Sequence, residues 1–187
     1  VLRENGLTDC PVWGDSFEGL EDEAEGPLPY VALPGDAWSN QAIADMAGMP
    51  PADREPWLAL LHHAADTTWS RPSKRWLEAA APLVAAAPDG SARLAQWFSL
   101  VGKAGTRSTN LWGWPPDRTY LRPRNARLLR GLLWAATHAP TNELAGSMAA
   151  AVIAGDQRVL RLGPRCEVVR NAGLAALGAM PPAIAGP

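Results

Sequence analysis

Apolar residues recur three or four positions apart over most of the chain after residue 53, and this period is typical of amphipathic α-helices. The segments are separated by glycine, proline and helix-capping residues, which end one helix and begin the next. The predicted helices begin at Asp53, at Ser70 or Ser73 and at Asp89 or Ser91, and then cover 124–138, 142–154 and 165–180. Ser39 is predicted to cap a further short helix over 40–47. The pattern therefore predicts an all-α fold without significant sheet.

Three details within these segments carry structural predictions of their own. Pro82 lies inside the second helix, where a proline ring is expected to kink or split it. The helix over 142–154 is apolar nearly all round, which predicts an inner, buried helix. Two side chains from each of the six predicted helices after residue 53 are assigned to the core, namely Trp57, Leu61, Trp76, Leu77, Leu94, Trp97, Leu128, Leu132, Met148, Val152, Val168 and Ala172.

Residues 1–38 differ from the rest because they show no helical or strand period. The first 55 residues hold 12 acidic side chains and two arginines, whereas the remaining 132 hold seven acidic and 15 basic ones. We therefore predict an acidic, poorly structured arm over 1–38 and a helical domain over 39–187, cut from a longer protein. No signal peptide or apolar run long enough to span a membrane is present in the sequence, so we expect a cytoplasmic protein.

Few residues offer recognisable chemistry. His62, His63 and Asp66 form a metal-like cluster, but no third ligand is adjacent on one face, so a solvated helix face is the favoured interpretation. Cys166 is expected to be a structural thiol, and Cys10 falls in the arm. We predict no catalytic residues, no metal and no cofactor.

Arginines are the most suggestive group, since the chain has 15 of them against two lysines. Arg127, Arg130 and Trp134 recur on the side of one helix opposite its leucines, which is the arrangement of a face that contacts phosphates and stacks bases. The same candidate face includes Arg158, Arg161, Arg165 and, from a long loop over 104–121, Trp112 and Trp114. The alternative is ordinary solvated surface in an arginine-rich protein.

Three stretches also carry a family resemblance. They are 72–77 (PSKRWL), 125–134 (NARLLRGLLW) and 163–177, which combines Gly-Pro-Arg with Val-Arg-Asn-Ala and Ala-Leu. In this order they resemble the HEAT-like helical region of large bacterial MolR-type proteins, which often carry a WGR domain. The resemblance covers about residues 56–181 and implies HEAT-like helical hairpins in an irregular array.

The resemblance assigns no catalytic residue, and it implies a non-catalytic module that binds a protein partner within a larger regulatory protein. Two alternatives remain open at this point. One is a nucleic-acid-binding helical domain that uses the Arg/Trp face, similar in architecture to HEAT-like alkylpurine DNA glycosylases. The other is a structural brace for a neighbouring catalytic domain.

Overall fold

The fold is described from a computed structural model, which covers residues 31–67, 71–105, 121–159 and 163–185. All of these residues belong to one compact unit, residues 31–187. Most of the predicted acidic arm, residues 1–30, lies outside the described residues. This unit begins at Val31, ahead of the boundary predicted between 38 and 39. The reason is that residues 31–36 are held by side chains of the helical unit, as shown below.

Helices account for 73% of the described residues, which confirms the all-α prediction. The α-helices are α1 (Ala37–Gly48), α2 (Pro51–Ala65), α3 (Lys74–Ala86), α4 (Gly90–Ser99), α5 (Pro123–Ala135), α6 (Asn142–Asp156), α7 (Glu167–Ala179) and α8 (Pro182–Ala185). A 3-10 turn over Ala136–His138 extends α5. Two short strands, β1 (Arg158–Val159) and β2 (Gly163–Pro164), pair antiparallel between α6 and α7.

Helix starts follow the local sequence at two places. Ser73 precedes α3 and its hydroxyl accepts a hydrogen bond from the Trp76 amide at 3.2 Å. Thr141 precedes α6 and accepts from the Leu144 amide at 3.1 Å. Ser73 is one of the two predicted starts of its helix. In both helices a hydroxyl oxygen satisfies an amide that the first helical turn leaves without a partner.

Other helix starts differ from the predictions. α2 begins at Pro51, so Asp53 lies in its first turn and is not the N-cap. Ser39 is buried inside α1, where its hydroxyl donates to the Asp36 carbonyl at 3.0 Å. α3 continues through Pro82 without being split, because Ala80 and Val84 are buried on either side of it and their packing offsets one lost hydrogen bond.

The central helix of the unit is α5, which contacts α2, α3 and α7. Its four core leucines are at most 1% exposed: Leu128, Leu129, Leu132 and Leu133. The helix predicted to be innermost, α6, packs against α4 and α7 but keeps an open side, on which Ile153 is 66% exposed. The prediction that α6 is an inner helix was therefore wrong. An apolar sequence allows a helix to be buried on all sides, but the number of neighbouring helices determines how many of its sides are buried.

Most of the predicted core is confirmed. Trp57, Leu61, Leu94, Trp97, Leu128, Leu132, Met148, Val152 and Ala172 are all buried. Trp76 and Leu77 are only partly buried and pack against the edge of the core. Val168 was assigned wrongly, since it is 39% exposed, whereas its neighbour Val169 is fully buried. The inner stripe of α7 runs through Val169, Ala172 and Ala176, and Val168 lies beside that stripe.

Residues 31–36 are fastened to α5 by one buried amide side chain. Asn125 accepts a hydrogen bond from the Leu33 amide at 2.8 Å and donates to the Leu33 carbonyl at 2.8 Å. Its amide nitrogen also donates to Asp36 Oδ2 at 2.7 Å. Leu33 and Asp36 are both buried, so these residues form part of the helical unit and not of an extended arm.

Candidate interaction surfaces

The two predicted arginines on α5 differ in their surroundings. Arg127 is exposed, whereas Arg130 is half-buried and donates from Nη2 to the Thr67 carbonyl just after α2. Burial lowers the pKa of Arg130, and the neighbouring charge of Arg127 lowers it further. Arg130 therefore stabilises the C-terminal end of α2, since a cation near a helix C-terminus offsets the partial negative charge of its carbonyls. Arg127 is the member of this pair that faces solvent.

Trp134 and Arg165 do not lie on an open binding face, which corrects the sequence prediction. Trp134 is 3% exposed because α5 has neighbours on more than one side, and its ring offers no surface for a base to stack on. Arg165 is 9% exposed and donates to the carbonyls of Gly102 and Lys103 at 3.1 and 3.3 Å. Burial lowers the pKa of Arg165, an effect that the charge of Asp36 opposes.

The other members of the predicted face lie elsewhere. Arg158 is exposed on β1. Arg161, Trp112 and Trp114 fall outside the described residues. Within the part of the chain that the structure describes, the predicted face therefore reduces to two exposed guanidinium groups on different elements, Arg127 on α5 and Arg158 on β1.

The histidine cluster at the end of α2 contributes to helix packing. His63 stacks on Trp76 of α3, with ring centroids 4.4 Å apart and an angle of 18° between the planes. The His63 Nε2 atom lies 3.0 Å from the Trp76 carbonyl, and Trp76 Nε1 donates to the His63 carbonyl at 3.2 Å. Over residues 31–67, 71–105, 121–159 and 163–185, no group of three potential metal-ligating side chains occurs.

Cys166 is positioned at the N-cap of α7, where its amide donates to the Gly155 carbonyl at 2.9 Å. Burial raises the pKa of the Cys166 thiol, and backbone hydrogen bonds from Val169 and Val168 only partly oppose this. A raised pKa disfavours the reactive thiolate at neutral pH. The group is therefore suited to packing and not to nucleophilic chemistry.

An ion-pair network that sequence reasoning missed joins α1 to α4. The carboxylate of Asp45 accepts hydrogen bonds from Trp97 Nε1 at 2.7 Å and from Gln41 Nε2 at 2.8 Å, and it pairs with Arg93 at 3.2 Å. The Arg93 guanidinium also lies 5.9 Å from the centre of the Trp57 ring. A shallow cleft of about 360 Å³ opens beside this network. No local pattern identifies it, since its members come from three helices.

The sequence also did not predict an exposed apolar surface on α6 and α7. Among the described residues, the large apolar side chains that remain exposed are Ile153, Leu174 and Val168, at 66%, 56% and 39%. Val152 and Gly173, the residues just before Ile153 and Leu174, are in contact, because a Cβ on Gly173 would fall 2.4 Å from Val152 Cγ2. Ile153 and Leu174 are therefore at the same level of two packed helices.

None of the described helices combines the length and the apolarity that crossing a membrane requires. Comparison with known proteins adds no relative: no family model, no curated protein and no solved structure matches this chain.

Proposed function

We propose that this helical unit is a protein-interaction module that docks an amphipathic helix of a partner protein on α6 and α7. The observation that carries the proposal is the exposed pair Ile153 and Leu174. Single exposed apolar residues are ordinary, but two large ones at the same level of a packed helix pair supply neighbouring anchors for one partner side. The module acts by binding and belongs, as the MolR-type resemblance implies, to a larger regulatory protein.

The surface around these anchors suits a helix as the occupant. Small residues occupy exposed positions one or two turns to one side of the anchors, namely Gly146 and Ala150 before Ile153 on α6 and Gly178 after Leu174 on α7. Small side chains let a partner helix approach closely, while Ile153 and Leu174 fill the spaces between its apolar side chains.

Charge near the anchors specifies the chemistry of that helix. The side chains of Asp156 and Glu167 are 63% and 62% exposed. The guanidinium group of Arg170 forms an ion pair with each of them. Its Nη1 atom lies 3.0 Å from Asp156 Oδ1, and its Nη2 atom lies 3.9 Å from Glu167 Oε1. Within this ion-pair group one cation faces two exposed carboxylates, so the partner helix is expected to carry lysine or arginine beside its apolar stripe.

Selection of peptides tests the proposal directly. A displayed library of amphipathic helical peptides is selected on the full chain, and enriched peptides are measured by fluorescence anisotropy. We expect enriched sequences with apolar residues at helical spacing and flanking basic residues. Ile153→Asp is expected to weaken their binding at least about tenfold, because truncating a central anchor costs 2 kcal/mol or more.

The matched control is Ala79→Asp, which adds the same charge at an exposed position of α3. It should leave peptide affinity unchanged. Enriched peptides that bind Ile153→Asp as tightly as the parent chain would overturn the proposal. So would a dimer of the parent chain, seen by light scattering, that Ile153→Asp converts to monomer, since a second copy would then be the occupant.

A further inference from the structure

A second, chemically different surface lies where the α2–α3 pair meets the first half of α5. The described residues of 62–78 and 124–130 hold six basic side chains and two acidic ones. The basic residues are Arg71, Lys74, Arg75, Arg124, Arg127 and Arg130, and the acidic ones are Asp66 and Glu78. Glu78 lies 3.7 Å from Lys74, so one of the two carboxylates is already paired. We call this set the basic end.

Two contacts bring the members of the basic end together. The hydrogen bond from Arg130 to the Thr67 carbonyl fixes α5 to the end of α2, and Arg127 lies one helical turn from Arg130. The stacking of His63 on Trp76 fixes the first turn of α3, which contains Arg75, to the last turn of α2. His63 and Thr67 are four residues apart, so Arg75 and Arg127 both lie near the C-terminal end of α2.

The exposed basic residues of the basic end that make no ion pair are arginines. Over the described residues, Arg71, Arg75 and Arg127 are exposed and make no ion pair. Arg127 and Arg130 are three positions apart on one helix face, and the pKa of Arg130 is lowered first by burial and then by Arg127. Like charges at this spacing repel, and an anion bound beside them relieves that repulsion.

From this arrangement we infer that the basic end binds the phosphate backbone of a nucleic acid, through Arg75 and Arg127 with support from Arg71. Guanidinium groups match phosphate oxygens with paired hydrogen bonds. The exposed large apolar side chains of the described chain all belong to α6 and α7, so the described residues of the basic end include none of the apolar anchors that a protein interface needs at its centre. Contacts to phosphate groups do not require apolar anchors.

This surface shares Arg127 and Arg130 with the Arg/Trp face expected from the sequence but differs from it in every other member. That face used Trp134 and Arg165, which are buried, and Arg158, which is on β1. It also differs from the docking surface on α6 and α7, so each of the two proposals can fail while the other holds.

Fluorescence anisotropy of labelled duplex and single-stranded probes with the full chain, titrated over a range of salt, tests the inference. Arg75→Ala and Arg127→Ala are each expected to weaken binding about threefold to tenfold at low salt and to reduce the slope of log affinity against log salt by about 1. Both side chains are exposed and without an ion pair, so the variants should keep the circular dichroism spectrum and the melting temperature of the parent chain.

Arg158→Ala is the matched control, because it removes one exposed arginine outside the basic end. It should leave affinity within about twofold of the parent, as expected where no phosphate contact is lost. Three results would overturn the inference: no binding of either probe at low salt, an equal loss with Arg158→Ala, or equally tight binding of an acidic polyglutamate peptide that depends on Arg75 and Arg127. The last result would identify an acidic protein segment as the partner.

Discussion

Gly131 of α5 lies directly against the backbone of Ala64 in α2. A Cβ atom built on Gly131 would fall 2.1 Å from the Ala64 carbonyl oxygen and 2.6 Å from its Cα. This contact sets the separation of the two helices, and the adjacent residue Arg130 can reach the Thr67 carbonyl because of it. Because glycine has no Cβ atom, α5 can pack closely against α2 at this point, which stabilises the core and also places Arg130 within reach of the end of α2.

Gly131→Ala should destabilise the protein. The added methyl group meets backbone atoms, which cannot rotate away, so α2 and α5 must move apart. We expect the free energy of unfolding to fall by about 2 kcal/mol, within the range for overpacked cores. Urea denaturation followed by tryptophan fluorescence measures it.

Gly146→Ala is the control for helix propensity. Gly146 lies on the exposed side of α6, and its added Cβ would have no heavy atom within 4 Å. Alanine is favoured over glycine inside a helix, so this variant should gain up to about 1 kcal/mol. A similar loss of stability in both variants would show that the Gly131–Ala64 contact is not the cause.

Asn125→Ala should lower stability by about 2–4 kcal/mol, because it leaves the buried Leu33 amide and carbonyl without their side-chain partner and removes one hydrogen bond from the Asp36 carboxylate. Thermal unfolding measures the loss. Amide exchange at Leu33 should accelerate more than exchange within α5, since Leu33 loses both of its hydrogen bonds to the Asn125 side chain while the helix keeps its own.

Asn171→Ala provides the comparison for that variant. Asn171 is exposed on α7 and its side chain accepts a hydrogen bond from Arg170 at 3.1 Å. A surface substitution of this kind usually changes stability by less than about 0.5 kcal/mol. If the two asparagine variants were equally stable, the buried network at Asn125 would not contribute as we infer.

Stability should fall as the pH rises above about 8.5, the ordinary pKa of a thiol in an unfolded chain. Burial raises the pKa of Cys166, so in the alkaline range the unfolded chain releases this proton while the folded chain keeps it. Stability then decreases until the pH passes the folded pKa. Urea denaturation between pH 7 and 10, in a chain carrying Cys10→Ser, measures this slope.

Cys166→Ala isolates the contribution of that thiol. Its absolute stability reflects altered packing, so the informative quantity is the change of stability with pH. Without the thiol the alkaline slope should be shallower than in the Cys10→Ser chain. Identical slopes in the two chains would show that Cys166 retains an ordinary pKa when folded.

Much of the helical structure could be predicted because it depends on neighbours in the sequence. Ser73 and Thr141 cap their helices through amides three residues ahead, and the leucines of α5 form a stripe by their spacing alone. Spacing gives no such help for the asparagines, since Asn171 lies in a helix rich in apolar residues and is nevertheless exposed. The buried asparagine is Asn125, whose partners Leu33 and Asp36 are distant in sequence.

The sequence by itself therefore determined where helices form, several of their ends and most of the side chains they bury. The tertiary structure decided which faces remain open. Trp134 is covered because α5 has neighbours on several sides, and Ile153 is exposed because α6 has a free side. Helix formation follows from helix propensity and hydrophobic period within one segment. Burial depends on which other helices pack against that segment, and those contacts join residues far apart in the chain.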